Sequence, residues 1–235
     1  MEGVNSKFKK LMLKVFDLTE SWQALHKENC DCFIGLVRDL SSWDIVGGGS
    51  CEDHSQIGDE RHQNNHLILS GQSSSGFGIF QYFPQTVSMI QGTYLRKLDE
   101  KYKMILASLG KFENICNQLD AIQQEADLFY HQLHGELLSS MEGKRNEKSQ
   151  FNFTIIEEYI SGIREIFIMF KKEYYRYEDL FQNELNYLGK SLEQIKDVYR
   201  KYSTHQYIKI HRVIQVLEST EREVQQDFVD KHRFK

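Results

Sequence analysis

Residues 156–188 read IEEYISGIREIFIMFKKEYYRYEDLFQNELNYL. Within them Ile156, Ile160, Ile163, Phe167, Phe170, Tyr174, Tyr177, Phe181, Leu185 and Leu188 recur at intervals of three or four. A mean repeat of about 3.5 residues sets the apolar side chains along one seam of a long helix, which must be buried against a neighbour. Around this stretch the chain has one proline, Pro84, in 235 residues, where usage of roughly 5% would supply about a dozen. Proline breaks helices because its ring clashes with the preceding turn and it lacks the N–H of the ladder. Its scarcity leaves long helices uninterrupted on both sides.

The same spacing recurs upstream. From Asn5 to Ser41, the residues Phe8, Leu11, Val15, Leu18, Trp22, Leu25, Cys32, Leu36 and Leu40 form a seam, with polar Asn29 at one position. Asn5 or Ser6 is the expected N-cap. From Gln85 to Ser140, Leu98, Tyr102, Ile105, Leu109, Phe112, Cys116 and Leu119 continue the pattern. Ile122, Ala126, Phe129 and Leu133 resume it after one skipped step, a local stammer. Gly92 and Gly110 each cost about 1 kcal/mol against alanine there, which bends a helix without ending it. Met141 to Gln150 reads as a turn. Beyond the third seam, Gly189 suits a helix end and Ser191 caps a fourth helix carrying Leu192, Ile195, Tyr199 and Tyr202. Ser203-Thr204 interrupts it before Ile210, Ile214, Leu217, Val224 and Phe228.

Trp43 to Gly78 differs in kind, with Gly47-Gly48-Gly49, Ser73-Ser74-Ser75 and little periodic apolar content. Such a length without periodicity reads as a flexible, mostly disordered loop. The aromatic run Phe77, Phe80, Tyr82 and Phe83 is expected to pin its end. The fold expected is therefore all-α: an elongated antiparallel bundle of three to four long helices with one long disordered loop. Residues 1–42 form the first bundle helix, 43–78 the loop and 79–235 the remaining helices of a single domain.

Composition narrows the function classes. Hydrophobic residues make up 40% and charged residues 27%, with both signs interleaved and a net charge of −5. That balance lacks the basic excess typical of nucleic-acid binders. No run approaches the ~20 apolar residues of a membrane span, and the opening Met1 to Lys7 has no apolar leader core. Four cysteines, Cys30, Cys32, Cys51 and Cys116, make no disulfide framework, so a reduced intracellular protein is expected. Asn152-Phe153-Thr154 matches a glycosylation sequon, which without a secretory route is a chance match.

Candidate chemistry is sparse. Cys51, His54, His62 and His66 are residue types that bind zinc, but their spacing is too short for a finger and no apolar residues nearby would build a mini-core. Four polar residues in a loop is the favoured reading, and no cofactor is expected. No nucleophile elbow, P-loop, dinucleotide fingerprint or zinc-protease motif is present. The pair Glu157-Glu158 sits at a helix start, where carboxylates complement the macrodipole. The chain is thus not expected to be an enzyme.

Phe170-Lys171-Lys172-Glu173-Tyr174-Tyr175-Arg176-Tyr177 mixes bases with aromatics. One reading places Lys171, Lys172 and Arg176 on RNA phosphates or a protein partner, with tyrosines stacking on bases. The favoured reading puts Phe170, Tyr174 and Tyr177 in the seam and leaves the charges solvated opposite. His26, His131, His134, His205 and His211 fall singly on helical patterns, as surface or seam residues.

Three stretches carry a family likeness. They are Lys14-Val15-Phe16 through Trp22, Cys30, Phe33-Ile34, Val37 and Leu40; Phe83-Pro84 with Leu95 to Lys101 and Met104 to Leu106; and Glu158 to Ile160, Ile163, Arg164, Tyr174 to Leu180, Leu188 to Leu192 and Ile208 to Glu218. In order and spacing they resemble the AIRIM family of ribosome maturation factors, small helical proteins that act beside an AAA-type ATPase. The likeness spans most of the chain except residues 43–77, and departs between Pro84 and Leu95. It rests on seam positions and on the Phe-Pro before the long helix. It implies a non-enzymatic adaptor that helps the ATPase recycle assembly factors from large-subunit precursors. A second small helical partner, contact with a pre-ribosomal particle and residence in nucleus and cytoplasm would follow, with no membrane or DNA partner. The alternative class is a coiled-coil scaffold of a cytoskeletal, trafficking or kinetochore complex.

Overall fold

The computed structural model describes residues 2–45, 84–140, 147–185 and 190–218, and every regular element among them is helical. In chain order they are α1 (Glu2–Ile45), α2 (Pro84–Ser140), α3 (Glu147–Asp179) with a π-helical turn at Leu180–Glu184, and α4 (Leu192–Ser203). A last helix, α5, covers 210–218. The loop expected over 43–78 lies outside the described residues, except that Trp43, Asp44 and Ile45 extend α1. Val224 and Phe228 also lie outside.

Helix boundaries follow local chemistry. Pro84 opens α2, where a missing N–H costs no helix bond and the fixed φ is already helical. Ser191 caps α4 as expected: its hydroxyl accepts from the Gln194 N–H, and the Gln194 side chain accepts the Ser191 N–H at 2.9 Å. Two helix starts differ from expectation. α1 begins at Glu2, so neither Asn5 nor Ser6 caps it, and α3 begins at Glu147, inside the expected turn. At the other end of α3, the Leu185 N–H reaches back five residues to the Leu180 carbonyl at 2.8 Å. The wider turn keeps Leu180, Phe181 and Leu185 all buried.

The seams meet in one core. Between α1 and α2 the ring pairs are Phe8 with Phe129 at 5.1 Å and Trp22 with Phe112 at 4.5 Å. Further along, Asn29 pairs with Ser108 and Lys101 with Asp39. Residue numbers rise along α1 as they fall along α2. Between α2 and α3, Asp127 takes Arg164 at 2.9 Å and the Tyr130 hydroxyl donates to Glu157 at 2.7 Å. α3 closes the third side, with Phe170 4.9 Å from Trp22 and Phe181 5.8 Å from Phe33. Such aromatic contacts add ~0.5–1.5 kcal/mol per pair beyond area burial.

The stammer falls where the spacing put it, since Ile122 and Ala126 are buried while Gln123 is only half-buried. Asn29 is the one seam position whose chemistry is polar, and it is satisfied. Its amide donates to the Ser108 hydroxyl at 2.5 Å, and that hydroxyl donates to the Ile105 carbonyl at 2.6 Å. Sliding α1 along α2 would strand this buried amide at a cost of ~1–3 kcal/mol, so the pair fixes register. In α1 the core takes Phe33, while Cys32 is half-buried.

The last helix corrects the expected register. Ile214 is 46% exposed, and Val213 and Val216 hold the core side instead. Gly162 of α3 explains the choice: a Cβ there would stand 2.6 Å from Val216 Cγ1. The valine sits where only a glycine leaves room.

Candidate functional site

Polar groups concentrate where the C-terminal half of α3 meets α4 and the 204–209 segment. Glu173 is fully buried. Its Oε1 accepts from Arg176 Nε at 3.0 Å, and its Oε2 accepts the backbone N–H groups of Gln206 at 3.1 Å and Tyr207 at 2.8 Å. Burial pushes this carboxyl up, but hydrogen bonds from His205, the Tyr207 amide and Arg176 outweigh it and hold it below the usual carboxylate value.

Arg176 completes the fastening. It donates to the Lys201 carbonyl at 2.5 Å and the Thr204 carbonyl at 2.7 Å. These lie at the end of α4, where helical carbonyls lack intrahelical partners. The guanidinium also lies 5.0 Å from the centre of the Tyr177 ring. One ion pair on α3 thus holds both the exit of α4 and the chain that follows.

Beside it the Tyr177 hydroxyl meets His26 Nδ1 at 3.1 Å and His205 Nδ1 at 3.0 Å. The two imidazoles are 4.2 Å apart, centre to centre. His26 Nε2 in turn lies 3.6 Å from Cys30 Sγ, one turn along α1. Burial first and His205 second lower the His26 pKa to about 4, so that ring is neutral near pH 7. Burial, then Asp31, pushes the Cys30 thiol up to about 11, which keeps it protonated and a poor nucleophile. Burial and then Glu173 push Tyr177 far up, so it stays a hydroxyl. The chemistry available here is the sharing of protons between two rings.

On the outer side of Arg176 runs an open groove of about 480 Å³, lined by Lys172, Tyr175, Arg176, Asp179 and Tyr207. Tyr175 is 54% and Tyr207 39% exposed. Ile168, Lys172, Tyr175 and Asp179 follow one another at intervals of three or four, so they share one outer stripe of α3.

The three bases singled out in the sequence go to different places. Lys172 is exposed in the groove. Lys171 lies with its ammonium 5.0 Å over the Phe167 ring. Arg176 forms the groove's inner wall with its N–H groups committed to Glu173, Lys201 and Thr204. The expectation that all the charges of this stretch are solvated is overturned by Glu173, one of the most buried residues of the chain.

Cys51, His54, His62 and His66 lie outside the described residues. His131, His134 and His211 are exposed, as surface residues. Glu157-Glu158 stand well inside α3 rather than at its start, so the macrodipole does not account for them; Glu157 instead accepts the Tyr130 hydroxyl. Sequence reasoning missed the meeting of His26 with His205. The break at Ser203-Thr204 was the only local sign of the interruption between α4 and α5 that places His205 beside His26.

Fold and site together define a protein whose described residues form no regular element but helix and whose α3 fastens the chain leaving α4 through a buried ion pair. No helix of the described residues is long and apolar enough to cross a membrane. No family model, curated protein or solved structure matches the chain.

Proposed function

We propose that this chain is a non-enzymatic adaptor, an elongated antiparallel helical bundle that assists an AAA-type ATPase in large ribosomal subunit maturation and the recycling of assembly factors. The observation that carries the reading is the co-linear resemblance of three blocks to the AIRIM family. Their residues Trp22, Phe33 and Leu40, Leu98 and Ile105, and Ile160, Ile163 and Tyr177 contribute to the same core. Preservation of order among blocks that pack together supports a common architecture more strongly than helical periodicity alone.

By that resemblance the partners are the ATPase and a second small helical subunit, with the pre-ribosomal particle beyond them, in nucleus and cytoplasm. The surface favoured for the contact is the groove beside Lys172. Exposed tyrosines with a neighbouring cation supply area at low entropic cost, as protein interfaces require.

Affinity capture of the tagged protein from its own cells, with ATP hydrolysis blocked, tests the reading by mass spectrometry. The expected result is an AAA ATPase with large-subunit assembly factors, reduced when Tyr175→Ala and Lys172→Glu are combined. Recovery of cytoskeletal, trafficking or kinetochore proteins without ribosomal material would replace the adaptor by a scaffold.

A further inference from the structure

The Tyr177 hydroxyl has one proton and two imidazole nitrogens within hydrogen-bonding distance. It donates to one ring and must accept an N–H from the other. His205 is the donor that the surroundings favour, because its Nδ1 also lies 3.9 Å from the Glu173 carboxylate. Tyr177 then donates to His26 Nδ1, and the His26 Nε2–H points toward Cys30. The chain of hydrogen bonds has a direction, and it requires His26 Nδ1 to be unprotonated.

We propose that the His26–His205 pair is an acid-operated latch: it keeps the 204–218 segment on α3 while it carries at most one proton and releases that segment when both rings are protonated. The first proton is tolerated, since on His205 it faces the Glu173 carboxylate. The second meets only the Ser203 backbone and a weaker share of the Glu173 charge, which burial and His205 outweigh. On His26 it removes the acceptor for Tyr177 and sets two like charges on rings 4.2 Å apart.

The groups that face His26 come from each packed element. Cys30 lies on its own helix, and Glu173, Arg176 and Tyr177 face it from α3. Tyr202 and the Ser203 backbone face it from α4, and His205 from the segment beyond. Glu173 is the single anion of that set, and it is already committed to Arg176 and two backbone amides.

Release would be local. The 204–218 segment is fastened by Glu173 to the Gln206 and Tyr207 amides, by Arg176 to Thr204, by Arg212 to Glu165 and by Val216 against Gly162. All of these anchors are on α3. The Trp22–Phe112 and Asn29–Ser108 contacts of the α1–α2 seam include none of them.

The sign and window follow from linkage. His26 titrates at about 4 when latched and rises toward, at most, its ordinary 6.5 when the segment leaves, because Tyr177 and Tyr202 still pack against it. Its contribution to closure is therefore complete above pH 6.5 and is lost as pH falls toward 4, by up to about tenfold in the closing constant per pH unit. Glu173 is also held low, so its protonation adds to release only below its ordinary value of 4.5. Between these limits the latch answers to His26.

Hydrogen exchange by mass spectrometry on the full chain, corrected for the intrinsic pH dependence of exchange, reads both regions at once. From about pH 6.5 to about 4.5 the closing constant of peptides from 204–218 is expected to fall by up to about 40-fold, while the 98–119 peptides hold within about threefold. In His26→Gln the same fall should shrink below about threefold. A flat response of 204–218, a simultaneous loss over 98–119, or an unchanged slope in His26→Gln would each overturn the latch. A ring titration by NMR of the unaltered protein stands independently of whether the variant folds. One of the two imidazoles should titrate near 4, and joint titration of both near 6.5 would equally sink the proposal.

Discussion

Between α1 and α2 the buried contacts include Phe8 on Phe129, Trp22 on Phe112 and one neutral polar pair, with the Lys101–Asp39 ion pair only half-buried at the margin, whereas at the far end of α3 a buried carboxylate, a guanidinium and two imidazoles meet. The two regions hold the molecule in different ways. An apolar seam is non-directional, and each side chain contributes in proportion to what it buries. A polar corner is directional, and its members depend on one another because a buried group left without its partner keeps its full desolvation cost. The seam should therefore fail by increments and the corner as a unit.

The largest effects separate these modes. Phe170→Ala, at a fully buried position against Trp22, should cost ~3–5 kcal/mol. Glu173→Ala should cost a similar ~3–5 kcal/mol because it leaves Arg176 half-buried without its anion. The second substitution distinguishes them. Adding Arg176→Met to Glu173→Ala should cost clearly less than the sum of the single changes, since the pair is coupled. Phe170→Ala combined with the distant Phe8→Ala should be additive within about 0.5 kcal/mol. Denaturant titration of the four single variants and two pairs measures both. A melting shift below about 2 °C for Phe170→Ala and also for Phe167→Ala would remove α3 from the core, since ~2–4 °C per kcal/mol is expected at this size.

The seam and the corner also differed in how far the sequence disclosed them. Seams in α1, α2 and α3 were legible because every buried contact recurs at three or four residues, and even the stammer at Ile122 left its mark. Ser191 was legible as a cap because its partner Gln194 is three residues away. The corner was opaque. Glu173 reaches Gln206 and Tyr207, and His26 reaches His205, across separations that no local pattern records. Charged residues beside tyrosines on a helix also read as a solvated face, which made Glu173 the least predictable core residue. In α5 the valines and isoleucines offer two overlapping stripes, and the absence of a side chain at Gly162 on another helix decides between them.

Asn29 is the place where the seam borrows the logic of the corner. Asn29→Ala should cost ~1–3 kcal/mol by leaving the Ser108 hydroxyl short of its donor within the core. Asn29→Leu with Ser108→Ala removes both polar groups and should recover most of that loss. If register depends on the pair, the double variant should be near native in stability and yet broader in its amide NMR spectrum. Sharp, native-like signals would mean that the aromatic contacts alone fix the register.

The smallest expected effects come from glycines, and here the two regions predict opposite signs. Gly162→Ala puts a methyl 2.6 Å from Val216 Cγ1, so α5 must shift or Val216 must change rotamer, at ~1–3 kcal/mol. Gly110 lies in the interior of α2, and a methyl there would have nothing within 4 Å of it. Gly110→Ala therefore meets only the intrinsic helical preference and should gain up to ~1 kcal/mol. Urea midpoints of the two variants, measured together, give the comparison its finest test. A loss at both sites would mean that α2 needs flexibility at Gly110, and a gain at both would mean that α5 is not seated against Gly162.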